Sequence, residues 1–351
     1  MPRSSAIPAA AGSTESIAPR RISPVLVWAG IGAVFAAFEC YVWARWIGSD
    51  NFAPRPVDVD SVPELTRQVI HVTQVISPIV CAFIMLKFLV APLIRERRFT
   101  LDGMLVVSYF TLWFQDPMGN LASTQLYYSS YWINMGSWTL GSLPGWISPA
   151  GNHLPEPILV MGFGYLWLGF LAGMSAFWLM RRIRDRFPRC SALELSLAAL
   201  ALCVVLDIVA ETALAAAGTF AWPGAIKGLS LFHGKPYQFP MYEGLLFGAV
   251  IASGGVLRFF RDDKGLTLVE RGVDKLSLPQ PTRTTLRFFA VYGFMHLFMA
   301  VVYSIPMIGF GMISDPFLRY PSHLENGMCV LGPQQDQCPG PGIAMPRPPY
   351  P

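Results

Sequence analysis

Hydrophobic positions gather into seven long stretches, at about 25–47, 69–93, 104–121, 158–180, 193–217, 239–257 and 286–313. Each approaches or exceeds the roughly 20 residues that cross a bilayer core. Backbone amides in that core must bond within their own segment, so the stretches are read as helices. The short alternating segments of a membrane β-barrel do not occur. The fold class expected is therefore all-α, a polytopic transmembrane bundle of about seven spans. Composition agrees: 53% of the 351 residues are hydrophobic and 14% are charged, against about 25% charged in a soluble domain.

The polar loops alternate. Eighteen of the 26 Lys and Arg residues fall in the N-terminal arm and in the loops after the second, fourth and sixth stretches, and six fall in the opposite set. Arg45 and Lys87 lie near span ends, where long side chains reach the interface. The positive-inside rule then puts the N-terminus in the cytoplasm and the C-terminus outside. A multi-pass plasma-membrane protein is expected. Residues 1–23 read as a disordered tail, 24–318 as the seven-helix domain with an aromatic-rich outer loop at 122–157, and 319–351 as a Pro/Gly-rich tail. Arg20–Arg21 hint at a twin-arginine signal. The first span is long, holds Glu39 and Arg45 and lacks a small-residue cleavage site, so an uncleaved anchor is expected. Cys329 and Cys338 fall in the outer tail, where a disulfide is chemically permitted.

Ionisable groups inside a membrane are costly and mark candidate chemistry. The third stretch ends Trp113-Phe114-Gln115-Asp116-Pro117-Met118-Gly119-Asn120, where proline and glycine break a helix beside an aspartate. Asp116 either faces a cavity or sits in the headgroup region. The outer loop carries Tyr128, Trp138, His153 and Glu156 and no Lys or Arg between 122 and 157. It reads either as an interfacial belt or as a lid over an apolar site. Asp207 and Glu211 are four residues apart on one helix face. Two carboxylates so placed in low dielectric are not comfortably ionised together, so one is expected to serve as acid and the other as base; the alternative is a structural polar face. Tyr242 and Glu243 open the sixth span after Pro240, a pattern that a helix start alone also explains. His296 lies among apolar residues, where packing competes with a binding role. Glu39, His71 and Gln74 are further candidates.

Several classes are excluded. Five scattered histidines lack the clustering of membrane di-iron oxygenases, and the last span has no lysine for a retinal Schiff base. No Gly-rich nucleotide loop occurs, and no inverted repeat of broken helices is evident.

The Phe114–Asn120 segment, followed by Gly136-Ser137-Trp138, Pro144-Gly145-Trp146 and Glu156-Pro157, resembles the spirocyclase AveC-like family of actinobacterial membrane proteins; Glu211-Thr212 and Tyr242-Glu243-Gly244 fit the same pattern. The resemblance spans about residues 24–325. It implies closure of a dihydroxy-ketone polyketide into a spiroketal in secondary metabolism, and it implies that chemistry more firmly than a substrate. No metal, nucleotide or redox cofactor is required by such a reaction. The candidate catalytic residues are Asp116, Asp207, Glu211 and Glu243. The candidate substrate-binding residues are Trp113, Asn120, Tyr128, Trp138, His153, Glu156, Tyr242 and His296. The partners expected are a lipophilic small molecule and membrane lipids, with no nucleic acid. Two rivals stand beside this reading: a non-enzymatic carrier or binding protein for a hydrophobic molecule, and a cofactor-free terpenoid-type cyclase or isomerase.

Overall fold

The computed structural model describes residues 23–121, 124–146, 151, 153–315 and 318–328, so Cys329 and Cys338 lie outside the described residues. The chain is an all-α membrane bundle. Six helices are long and apolar enough to cross a bilayer: α1 (Pro24–Ile47), α2 (Glu64–Arg95), α4 (Met161–Arg186), α5 (Ala192–Ala216), α6 (Met241–Phe259) and α7 (Gln280–Ile313).

The third expected span differs. It is α-helical only over Leu101–Leu112, here α3, and then runs as a 3₁₀ helix over Trp113–Asn120. Pro117 removes a backbone donor, which favours the tighter form where the α-helical ladder fails. Twelve α residues and eight 3₁₀ residues extend roughly 34 Å by their standard rises, enough for the hydrocarbon core. α3 is the central helix. Leu101, Met104, Leu105, Val106, Tyr109 and Leu112 are buried, and it packs against α2, α4 and α7. Apolar side chains on α2 such as Val72, Ile76, Ile79 and Phe83 are instead exposed, as a lipid-facing helix requires.

Local sequence sets the helix ends. Thr100 caps α3 by accepting from the Gly103 amide at 3.2 Å. Ser191 and Glu194 form a reciprocal capping box at the start of α5, which satisfies two amide donors that the helix leaves unpaired. Three helices contain π-helical segments: Leu86–Val90 in α2, Tyr165–Phe170 in α4 and Ala300–Ser304 in α7. Such insertions redirect side chains and recur at functional sites.

The 122–157 loop is a folded cap, not a belt of side chains lying outward in an interface. Tyr127, Tyr128, Trp132, Trp138 and Trp146 are buried. A short strand, β1 (Tyr127–Tyr128), pairs antiparallel with β2 (Phe220–Ala221); β3 (Ser230–Leu231) pairs with β4 (Phe239–Pro240) beside it. The indole of Trp132 donates to the Thr219 carbonyl at 2.9 Å. His71 and Gln74 of α2 hold the cap from the side: His71 bonds the Tyr131 hydroxyl at 3.1 Å, and Gln74 accepts from the Ile133 amide at 2.7 Å. Gly136 has φ +74°, and a Cβ there would lie 3.0 Å from the Asn51 carbonyl oxygen, so both backbone shape and space call for glycine. Trp138, Trp146 and Leu154 form a second core with Val42 and Trp46 of α1. Tyr320, Leu324 and Met328 join that core, so packed chain extends past the expected tail boundary at 319.

Candidate functional site: a carboxylate-lined cavity under the cap

Asp116 emerges from the 3₁₀ segment into a cavity between α3, α4, α5, α6 and α7, roofed by the cap. Its wall includes Tyr128, Tyr165, Glu211, Glu243 and Tyr303, with Trp167, Phe220, Trp222 and Phe247 as apolar surfaces. The space is narrow. The cavity volume is about 50 Å³.

Asp116 is held on both oxygens. Tyr165 donates to Oδ1 at 2.7 Å and Tyr128 donates to Oδ2 at 2.8 Å. Glu156 approaches from the cap and lies in hydrogen-bonding reach of Asp116. Two carboxyl groups meet this way only with a proton between them. Burial, reinforced by the nearby Asp116, holds the Glu156 carboxyl well above the usual carboxylate range, so Glu156 supplies that proton. Trp113 donates its indole N–H to Glu156 Oε2 at 3.2 Å, and the Glu156 amide donates to the Gly136 carbonyl at 3.0 Å. Burial, reinforced by Asp116, keeps the Tyr128 phenol protonated far above neutrality, so it remains a donor.

Across the cavity stand the other acids. Asp207 and Glu211 come from one face of α5, and Glu243 from the first turn of α6. Their carboxylates each bring one oxygen to within 4.8 Å of the others. Tyr303, in the π segment of α7, donates to Glu243 Oε1 at 3.2 Å. Glu211 and Glu243 line the cavity, and Asp207 lies fully buried behind them.

A model of the family described as spirocyclase AveC-like matches residues 96–319. The chain belongs to the spirocyclase AveC-like family. The match leaves out α1 and all of α2, and is shorter than the 24–325 suggested by sequence pattern. Every acid of the cavity falls inside the AveC-like region. No curated protein and no solved structure matches the chain.

Seven of the expected site residues converge here: Asp116, Tyr128, Glu211 and Glu243 on the wall, with Asp207, Glu156 and Trp113 against them. Five do not line the cavity. Asn120 accepts the Gln125 and Leu126 amides at 2.6 and 3.1 Å and shapes the chain after the 3₁₀ helix. Trp138 is fully buried in the cap core and donates to the Phe114 carbonyl at 2.9 Å. His153 bonds the Asn326 carbonyl at 2.6 Å. Tyr242 stacks on Phe310 with centroids 4.2 Å apart.

His296 belongs to a separate buried network on the other side of the 3₁₀ segment. Its Nδ1 lies 2.8 Å from Glu39 Oε1 and its Nε2 3.0 Å from the Thr111 hydroxyl. Tyr292 donates to the other Glu39 oxygen. Gln115 donates to the His296 carbonyl at 3.0 Å and accepts from Ser304 at 3.0 Å. Successive residues of the 3₁₀ segment thus face two places, Gln115 the network and Asp116 the cavity. Tyr165, Tyr303 and Trp167 are cavity residues that sequence reasoning did not place at the site.

Proposed function

We propose that this AveC-like protein is a plasma-membrane cyclase that closes a lipophilic hydroxy-ketone, of polyketide or lipid-like character, with loss of water. The observation that supports it is the convergence of Asp116, paired with a protonated Glu156 and two tyrosine hydroxyls, with Glu211 and Glu243 in one aromatic-walled cavity. Spiroketal formation from a dihydroxy-ketone needs four acts. The carbonyl oxygen takes a proton as one hydroxyl adds to carbon and gives up its own proton to a base. The resulting hemiketal hydroxyl is protonated and leaves as water. The second hydroxyl then adds to the oxocarbenium carbon, and its proton passes to a base. One water is lost in all.

A proton shared between Asp116 and Glu156 suits the acid steps, and the carboxylate left behind suits the last. Negative charge on the cavity wall stabilises the cation between them. Phe220, Trp222 and Phe247 exclude water that would otherwise trap it. Family membership supports cyclase chemistry and leaves substrate identity to experiment.

The test is mass spectrometry of lipid extracts from a deletion strain complemented with wild type or with Asp116→Asn. A compound one water heavier than a wild-type product should accumulate in the deletion and persist with Asp116→Asn at normal membrane abundance. Extracts of equal composition, with one compound redistributed across the membrane, would replace the cyclase with a carrier.

A further inference from the structure

Helices α5 and α6 meet through glycines. A Cβ on Gly244 would lie 2.7 Å from Ile208 Cγ1, and one on Gly248 would lie 2.7 Å from Val204 Cγ2. This close approach brings Glu243 of α6 against the Asp207–Glu211 face of α5, so that one oxygen from each carboxylate falls within 4.8 Å of the other two. Asp207 is 0% exposed and Glu243 is 1% exposed. Neither oxygen of Asp207, and not Oε2 of Glu243, accepts a hydrogen bond from an N–H or O–H group among the described residues. The charged side chains acting on the three are one another and Asp116, all acidic. Among the described residues no Lys, Arg or His forms an ion pair with them.

Asp207 and Glu243 lie in hydrogen-bonding reach of each other. With no N–H or O–H donor on Asp207, their charge must be offset by a shared proton or by a counter-ion; three acids in one cluster favour the ion. The donor set is oxygen only, which suits a hard divalent cation and does not suit zinc or copper, which favour nitrogen and sulfur. Ligands of one ion with bonds of about 2.1–2.4 Å lie no more than roughly 4.2–4.8 Å apart, and all three oxygens fall within 4.8 Å of one another, as ligands of a shared ion do. The sequence carries no His/Cys ligand spacing, and an all-carboxylate site needs none.

We propose that Asp207, Glu211 and Glu243 bind one hard divalent cation, Mg²⁺ or Mn²⁺, at the cavity wall. Asp207 closes the side facing the bundle. Glu211 and Glu243 line the cavity, which leaves coordination positions there for water or for a carbonyl or hydroxyl oxygen of a bound molecule. Cation binding stands independently of the cyclase reading; only the oxygen ligand from a substrate rests on it.

The full-length protein in lipid nanodiscs, stripped with EDTA and titrated with Mn²⁺, tests this. Bound manganese is counted by mass spectrometry after gel filtration and followed by electron paramagnetic resonance. One Mn²⁺ per wild-type chain is expected, displaced by excess Mg²⁺. Asp207→Asn and Glu243→Gln should bind at least tenfold more weakly, while Asp116→Asn retains the ion. Wild type that binds no Mn²⁺ at millimolar concentration overturns the proposal without reference to any variant. So does equal binding by wild type and a folded Asp207→Asn, with folding checked by elution volume and helical circular dichroism. The two readings fail separately. Dehydrating turnover by wild type that holds no ion removes the cation and keeps the cyclase; a bound ion with no turnover does the reverse.

Discussion

The Tyr165 hydroxyl donates to Asp116 at 2.7 Å from within a π-helical segment of α4. The extra residue in that turn aims the phenol at the carboxylate, and Tyr128 from the cap aims at its other oxygen. Asp116 is therefore fixed in place by groups that hold it without removing its ability to take a proton. Asp116→Asn should lower turnover by about 10²–10⁴-fold, the usual worth of a positioned acid or base. Tyr165→Phe should cost less, because Tyr128 still orients the group. Comparable losses in the two variants, read as the ratio of hydrated precursor to product, would assign Tyr165 a direct part in proton transfer.

Glu156 links activity to stability through its proton. Its folded form holds the proton well above the ordinary carboxylate range, so above pH about 4.5 the folded chain binds more protons than the unfolded one. Stability from this group is then full below that pH and declines as pH rises toward the raised folded value. Glu156→Gln fixes the neutral form. It should flatten the fall in Tm with rising pH and raise Tm at pH 8, while turnover drops. A wild-type Tm that rises from pH 5 to 8, with Glu156→Gln rising in parallel, would contradict the assignment.

Glycines set how closely α1 and α7 cross. A Cβ on Gly32 would lie 2.0 Å from the Phe289 carbonyl oxygen, and one on Gly293 would lie 2.4 Å from the Trp28 carbonyl oxygen. Small residues at such crossings let membrane helices pack, and here they bring Glu39 to His296 at 2.8 Å. Gly32→Ala should destabilise by about 1–3 kcal/mol, the range for overpacking. Gly30→Ala, whose Cβ meets nothing within 4 Å, should be neutral or slightly stabilising. Denaturation in mixed micelles separates the two; equal effects would mean that the crossing is not tight.

What could be read along the chain follows range of interaction. Six spans were legible from hydropathy, and Asp207 and Glu211 were legible as a pair because four residues return to one helix face. Asp116 stood out because Pro117 follows it. Tyr165 and Tyr303 did not, since their aim depends on π turns that hydropathy does not mark. The pairing of Glu39 with His296 depends on the Gly32 crossing, and neither residue signals the other in sequence. The cap was half legible. Its aromatic content marked it, but whether those rings face lipid or a core depends on tertiary ties such as Trp132 to Thr219 and Gln74 to Ile133. The same ties put Trp138 and His153 into the cap's own packing and leave Tyr128 and Glu156 near the carboxylates.

Trp167 and Leu214 separate the cavity from an apolar groove on the lipid-facing side of α2, α4 and α5, lined also by Val72, Ile76, Val80 and Leu171. Both residues border both spaces. The Trp167 indole donates to the Ser77 hydroxyl at 2.6 Å, and it rides on the same π segment as Tyr165. A lipophilic molecule dissolved in the bilayer meets this groove before it meets the cap, so Trp167 is placed to govern lateral access. Ser77→Ala should free the indole and Trp167→Ala should remove it. Both should raise labelling of cavity residues by a bilayer-dissolved photoreactive ketone several-fold, Trp167→Ala more strongly, with Asp116 still hydrogen-bonded by Tyr165 and kcat less affected than KM. Labelling that ignores both substitutions, but falls when the cap is cross-linked to α2 through cysteines at Gln74 and Ile133, would move the access route from the lipid side to the cap.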